Sequence, residues 1–342
     1  MKARLKDIAD ATGFSVNTVS HALRDKPDIS DATKARIRQV AEELHYIPNF
    51  QARGIREGRN AIVAVILPDI INPHFSIVFR GIEEYFRSLG ITTLFMNTSE
   101  RVDNELRAVR VSIGQNVSGV ILCPTQTSTE PIRLLERSRI PFVLIGRHFD
   151  EEPDTDYVVC DDANGAYLAT RHLIEEGHRS IACVRVNPQI SSDRERFSGY
   201  LHALEEAGIH FNEDNILNLP LAQTNCQAEI RAFLCANRGC TAILSFNDML
   251  AYGIIREAIR MGLSVPGDLS VIGFDNICAD YVFPTMLSSV SVSKKNMAHI
   301  ASELLYGYIT KGNDFSAAHR RHIVLPTSLY LRDTTMQTDP LS

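Results

Sequence analysis

The 342-residue chain has no tryptophan, only seven cysteines and no CxxC spacing. Scattered thiols in odd number, including the pair in "CANRGC" (Cys235, Cys240), exclude a disulfide framework and a zinc ribbon and predict reduced, mostly buried side chains. No segment approaches the roughly 20 unbroken apolar residues of a membrane helix. The opening "MKARLKDIAD" lacks the apolar core of a secretory signal, so the chain is expected to be soluble and cytoplasmic. Catalytic signatures are also missing: there is no GxxxxGK phosphate loop, no GxGxxG after the first apolar strand, no GxSxG elbow and no HExxH. No catalytic residue, metal ligand or cofactor is assigned.

Charge is unevenly placed within a net −6. Residues 1–60 hold 11 Lys/Arg against 8 Asp/Glu, a surplus of +3, and the remainder holds 24 against 33, a deficit of 9. A small positive head on an acidic body suits contact with a polyanion through one domain.

Three helices are predicted between Leu5 and Leu44, sharing a core of Ile8, Ala9, Val19, Leu23, Ile37, Val40 and Leu44. Ser30 stands as an N-cap before "DATKARIRQVAEEL", with an acid directly after it, and Pro48 is expected to stop that helix. Asn49–Asn60, "NFQARGIREGRN", has little to bury and reads as a linker. From Ala61 onward nine short apolar strands alternate with amphipathic helices: 61–68, 92–97, 119–124, 141–146, 157–161, 180–186, 216–220, 241–246 and 269–274. That pattern means parallel sheets covered on both faces, and the similar order on either side of Asp162 predicts two α/β lobes with a cleft at the strand carboxyl ends. The polar tail after Arg332 is expected to fray.

The first two helices, packed around a turn at Gly13, fit a helix-turn-helix. Ser15 caps the second helix, so Val16 and Asn17 point outward and His21 follows one turn later. Short uncharged side chains suit base edges in a major groove: a carboxamide pairs with adenine, Val16 meets a thymine methyl, and an imidazole donates to guanine. Thr18, Ser15 and Ser30 are placed to bond phosphates, and Leu5 joins this DNA-facing set. The competing possibility is a helical packing or dimerisation arm with solvated polar residues.

The block "LKDIADATGFSVNTVSHALRDKPDISDATKARIRQVAEELHYIPN" resembles the headpiece of the lactose/galactose repressor (LacI/GalR) family. Further ordered resemblances are "NPHF" (72–75), "VVCDDANGAYLATRHLIEEGHRSIACV" (158–184), "RFSGYLHALEEAGI" (196–209), "AILSFNDMLAYGIIREAIRMGLSVPGDLSVIGFDN" (242–276) and "LPTSLYLRDTT" (325–335). The resemblance implies an all-α helix-turn-helix headpiece (1–48), a hinge (49–60) and a two-lobed α/β core with parallel sheets, like a periplasmic binding protein (61–335). The first lobe would comprise 61–161 and 292–325, the second 162–291 and 326–335, with a tail at 336–342. It further implies a DNA-binding regulator, most simply a repressor, that acts as a homodimer on a roughly palindromic operator and senses a small molecule such as a sugar or sugar phosphate. In the hinge, Ile55 would wedge into the minor groove, flanked by Ala52, Arg53 and Arg56. The family's usual residue there is leucine, and Gly54 lowers helix propensity by about 1 kcal/mol relative to alanine, so this hinge is expected to be marginal without DNA.

By the same resemblance the effector contacts are Asn72, His74 and Phe75 after the first strand, Thr125 and Gln126 after the third, Arg147 after the fourth, Arg196 rather than Arg194, Phe246, Asn247 and Asp248 after "AILSF", and Asp275. An aromatic residue is usual where His74 stands. Val292 and Ser293 replace the family's glutamine-proline. The alternative is that Asn247 or Asp248 only caps the helix that follows and Asp275 only organises a turn before Asn276. "HRRH" (319–322) reads as a solvated turn. Three rivals stay open: a two-lobed enzyme, a transport-type binding protein, and a regulator that uses its lobes only to dimerise.

Overall fold

A computed structural model describes residues 3–46, 62–151, 153–220, 226–279, 285–311 and 320–336. Pro48 and the hinge residues Ala52, Arg53, Ile55 and Arg56 lie outside the described residues. The chain divides into two compact units, Met1–Asn60 and Ala61–Ser342.

In the first unit, helices α1 (Leu5–Thr12), α2 (Val16–Leu23) and α3 (Asp31–Glu43) close on Ile8, Ala9, Val19, Ala22, Ile37 and Ala41. Gly13 ends α1 with φ 74°, a left-handed conformation that glycine adopts without a Cβ penalty. Two expectations are corrected here. Leu44 is exposed instead of buried. Helix α3 ends at Glu43, ahead of Pro48, because His45 turns to φ 48° and the Tyr46 N–H bonds back to the Ala41 carbonyl.

The second unit holds two six-stranded sheets of the same design. The first sheet runs β11-β5-β4-β3-β1-β2, from strands β1 (Ile62–Leu67), β2 (Thr92–Asn97), β3 (Gly119–Leu122), β4 (Phe142–Ile145), β5 (Tyr157–Cys160) and β11 (His322–Leu325). The second runs β12-β10-β9-β8-β6-β7, from β6 (Ile181–Arg185), β7 (Ile216–Asn218), β8 (Ala242–Leu244), β9 (Ser270–Asp275), β10 (Ser288–Ser291) and β12 (Ser328–Tyr330). Every described pairing is parallel except β10 with β12. Helices α4 (Pro73–Ser88), α5 (Val102–Gly114) and α6 (Glu130–Arg137) serve the first lobe, as does α11 (Lys294–Lys311), which packs on α4. Helices α7 (Asp162–Glu175), α8 (Ser191–Glu206), α9 (Gln227–Ala236) and α10 (Asp248–Arg260) serve the second. The chain passes between sheets three times, after Cys160, after Ser291 and after Leu325.

Burial on both faces explains the continuous apolar runs. In β1, Val63, Val65 and Leu67 enter one core cluster, while Ala64 and Ile66 enter another on the opposite face. Each such valine, leucine or isoleucine side chain removed from water contributes roughly 1.5–3 kcal/mol. All nine apolar strands read from the sequence are present.

Strand β10, "SSVS", lacks an apolar run yet is buried, because its serines are spent on hydrogen bonds. Ser289 donates to Asp248 Oδ1 at 2.6 Å and accepts from the Asn276 N–H at 2.9 Å, and Ser288 accepts from the Arg332 N–H at 2.8 Å. The chain just beyond Arg332 is not frayed: Thr334 and Thr335 are buried, and Thr334 exchanges hydrogen bonds with Val271 in β9. "HRRH" also departs from a solvated turn. Arg320 pairs with buried Asp156 at 3.2 Å, and His322 lies in β11 stacked on Tyr157.

Candidate functional site

In the first unit, Ser15 caps α2, its Oγ accepting the Thr18 N–H at 3.0 Å and sharing a 2.9 Å hydrogen bond with the Thr18 hydroxyl. With Val19, Ser20 and Ala22 turned inward, Val16 and Asn17 are left exposed on the opposite face. Ser30 caps α3 through the Thr33 N–H and is itself exposed, and Leu5 packs partly against the small core. Sequence reasoning missed Asp28. Its carboxylate lies 2.6 Å from His21 Nδ1, which leaves Nε2 on the opposite edge of the ring. The hydrogen bond to His21 lowers the Asp28 pKa.

In the second unit, a cleft of about 270 Å³ lies at the carboxyl ends of the strands. Asn72 caps α4 and the first turn of that helix brings His74 and Phe75; the turn after β4 brings Arg147; α8 brings Ser192 and Arg196; the turn after β8 brings Phe246 and Asn247; β9 ends in Asp275. Both sheets reverse strand order beside their first strands, where such folds bind ligands.

The arginines are already paired. Arg147 makes two hydrogen bonds to Glu100, at 2.8 and 2.7 Å, and a third to the Pro124 carbonyl at 2.9 Å. Burial works against its charge, and Glu100 more than offsets that, so its pKa is raised. Ser99 and Glu100 hold left-handed φ values of 52° and 57°, a cost of about 1–2 kcal/mol per residue, which the bidentate pair offsets. Arg196 reaches Asp162 Oδ1 through Nε and Nη2, both at 3.2 Å, and donates to the Phe246 carbonyl at 2.5 Å. Its guanidinium lies over the rings of Phe274 and Phe246, at 3.7 and 4.7 Å. Arg194 instead faces Asp150 and the Gln189 carbonyl, away from the cleft lining.

His74 Nδ1 stands 3.4 Å from Asp275 Oδ1 and has no hydrogen-bond partner among the described residues. Burial, then Lys294, Arg196 and Arg147, push the His74 pKa well below its ordinary value, leaving a neutral ring. Burial pushes Asp275 and Asp162 each up to about 6, against the pull of Arg196. Lys294 Nζ donates to the Asp275 carbonyl at 2.5 Å, holding the turn in which Asp275 and Asn276 take φ 105° and 52°.

Three residues expected at the effector are absent from this lining. Thr125 is buried and bonds Glu105 at 2.5 Å. Asp248 is fully buried, accepting from the Ile277 N–H at 2.7 Å and the Ser289 hydroxyl at 2.6 Å. Gln126 spends both ends of its carboxamide on protein groups, the His148 carbonyl and the Ser191 N–H. Asn247 lines the cleft and also caps α10 through the Leu250 N–H. Glu100 and Asp162 were not found from sequence: Glu100 sits in no motif, whereas Asp162 stood in "VVCDDANG" directly after a strand. Val292 is core and, like Ser293, lies outside the lining.

The profile described as "Bacterial regulatory proteins, lacI family" matches residues 4–49, and "Periplasmic binding proteins and sugar binding domain of LacI family" matches residues 60–331. The chain belongs to the LacI family. It is therefore a DNA-binding transcriptional regulator with an effector-binding core. Among similar LacI-family proteins is the HTH-type transcriptional regulator DegA of Bacillus subtilis (strain 168), 32% identical over 339 residues that cover 98% of both chains. The HTH-type transcriptional repressor PurR of Aliivibrio salmonicida (strain LFI1238) is 30% identical over 304 residues, 89% of this chain and 91% of that one. A LacI family regulator from Enterococcus faecium with bound ribose is 27% identical, with a TM-score of 0.69 over 81% of this chain and all of its own. The lac repressor dimer bound to operator shares the fold at a TM-score of 0.83, 22% identical over 98% of this chain and all of that one.

Proposed function

We propose that this LacI-family regulator is a repressor whose grip on a roughly palindromic operator is set by a small neutral polyhydroxylated molecule, such as a sugar, held in the interlobe cleft. Val16, Asn17 and His21 read base edges, while Ser15, Thr18 and Ser30 position the headpiece on phosphates. The protein acts in the cytoplasm as a homodimer, whose two-fold symmetry the operator mirrors. The cleft senses and does not catalyse: its carboxylates and guanidiniums are locked to one another instead of being poised as acid and base.

The observation that carries the effector class is that pairing. Arg147 is neutralised by Glu100 and Arg196 by Asp162, so neither offers an unspent positive charge to a phosphate. Asp275 and neutral His74 supply an acceptor and a two-sided ring to hydroxyl groups, and Phe75 and Phe246 supply apolar walls. A ligand that binds one lobe arrangement more tightly than another shifts the balance between them, and operator affinity moves with it.

The experiment is a thermal-shift screen of sugars, sugar phosphates and nucleosides on wild type and Arg196→Ala, with operator binding on the chain's own upstream promoter fragment. Neutral polyols should raise the wild-type melting point and fail on Arg196→Ala. Sequence-preferring DNA binding that no compound alters would favour a regulator using its lobes only to dimerise.

A further inference from the structure

We propose that Gln126 is a positioning residue that caps helix α8 from the opposite lobe, so that closing the cleft and completing the first turn of α8 are one event. Helix α8 begins after Ile190, whose side chain provides no oxygen to its free amides. The first four N–H groups of a helix have no intrahelical acceptor. Here the acceptor comes from the other lobe: Gln126 Oε1 takes the Ser191 N–H at 2.9 Å and the Ser191 hydroxyl at 3.3 Å. The other end of the carboxamide donates to the His148 carbonyl at 2.5 Å, and the His148 N–H returns to Ser191 Oγ at 3.2 Å. Two first-lobe loops and the tip of a second-lobe helix thus form one closed ring of hydrogen bonds.

Two further observations give this ring its direction. Gln126 holds a left-handed φ of 61°, a conformation that a non-glycine residue keeps only where its surroundings enforce it. Two residues beyond Ser191, Asp193 binds Arg185 at 3.0 and 2.7 Å and the Val186 N–H at 2.9 Å, which ties the same turn to its own lobe. Helix α8 is therefore pinned by Asp193 on one side and by Gln126 on the other, with the cleft residues Ser192 and Arg196 on the turn between and just after. If the lobes part, Gln126 leaves Ser191, and the mount that aims Arg196 at Asp162 and Asp275 loses its cap, together with the 3.5 Å contact of His148 Nε2 with Glu195 on the same turn. The exposed Arg194–Asp150 pair spans the same seam but contributes little in water.

The test is hydrogen–deuterium exchange of the full chain, read at single-amide resolution. Slow exchange at Ser191 reports the Gln126 bond alone, whereas residues 197–206 report the helix. Gln126→Met keeps length and bulk and should speed Ser191 exchange roughly tenfold, leaving 197–206 unchanged. Gln126→Glu keeps the acceptor for Ser191 but loses the donor to the His148 carbonyl, so its Ser191 exchange should fall between wild type and the methionine variant. Ser191→Ala, which loses only the hydroxyl contacts, should give a smaller rise and serves if the methionine variant fails to fold. Fast exchange of Ser191 in the wild type, a methionine variant as slow as wild type, or a glutamate variant as fast as methionine would overturn the proposal. The readout needs neither effector nor DNA, so its failure leaves the regulatory reading standing.

Discussion

The base-reading role proposed for His21 requires one fixed ring edge, and Asp28 holds Nδ1 at 2.6 Å. Asp28→Ala should flatten the operator preference at the base His21 meets by roughly tenfold while leaving affinity for random duplex nearly unchanged, as a competition series over single-base operator variants would show. Equal losses on every sequence would mean that Asp28 serves only the fold. In the core, burial and then Asp162 and Asp150 push Glu195 from the ordinary 4.5 up to about 8. Its neutral form is therefore favoured by folding, so its contribution is full below about pH 4.5 and is lost as pH rises through 8. Glu195→Gln should accordingly flatten the fall in melting temperature between pH 5 and 8.5. Asp162, Asp248 and Asp275 act in the same sense, at about 6, 7 and 6, while the lowered His74 acts oppositely, stabilising above its ordinary 6.5 and losing that as pH falls. An unchanged slope in the glutamine variant would remove Glu195 from this account.

Helices α7 and α8 cross so closely at Gly199 that a Cβ there would stand 2.0 Å from the Ala163 carbonyl oxygen. That oxygen belongs to a helix backbone and cannot swing away. Gly199→Ala should destabilise the core by about 3 kcal/mol, seen as a lower urea midpoint with an unchanged slope, and a loss under 0.5 kcal/mol would show that the helices can slide apart. At this scale the sequence was most readable. Caps such as Ser15 and the apolar strands announce themselves locally, because their causes lie within a few residues. Strand β10 did not, since its burial rests on partners at Asp248, Asn276 and Arg332 that only the fold brings near. The cleft divides in the same way. Asn72, His74, Arg147, Arg196 and Asp275 stand at strand ends or on the helices that follow, and were legible as cleft residues. Glu100, 47 positions from Arg147, and Asp162, 34 from Arg196, carry the charge balance and are set by topology. Thr125, Gln126 and Asp248 occupy the expected strand ends but turn their polar atoms into the protein.

Across the whole chain, sign of charge separates two tasks: the first 60 residues carry +3 and the remainder −9. The acidic balance extends into the cleft, where Asp69, Glu100 and Asp275 outnumber Arg147 and Arg196 and His74 adds no charge. A phosphate brings about −1.5 to −2 more. At roughly 5 Å and an effective dielectric near 20, each like-charge pair costs about 3 kcal/mol, and each opposite pair returns as much. With carboxylates in excess and both guanidiniums already bonded, the balance goes against the phosphate. Any neutral polyol that raises the melting point should therefore bind at least about tenfold more tightly than its phosphorylated counterpart, measured by titration calorimetry at pH 7.5. Glu100→Gln should narrow that gap by releasing Arg147 from its partner, and Asp162→Asn should do the same through Arg196. If the phosphorylated compound binds more tightly to the wild type, the two arginines exchange their carboxylate partners for ligand, and the cleft is built for an anion after all.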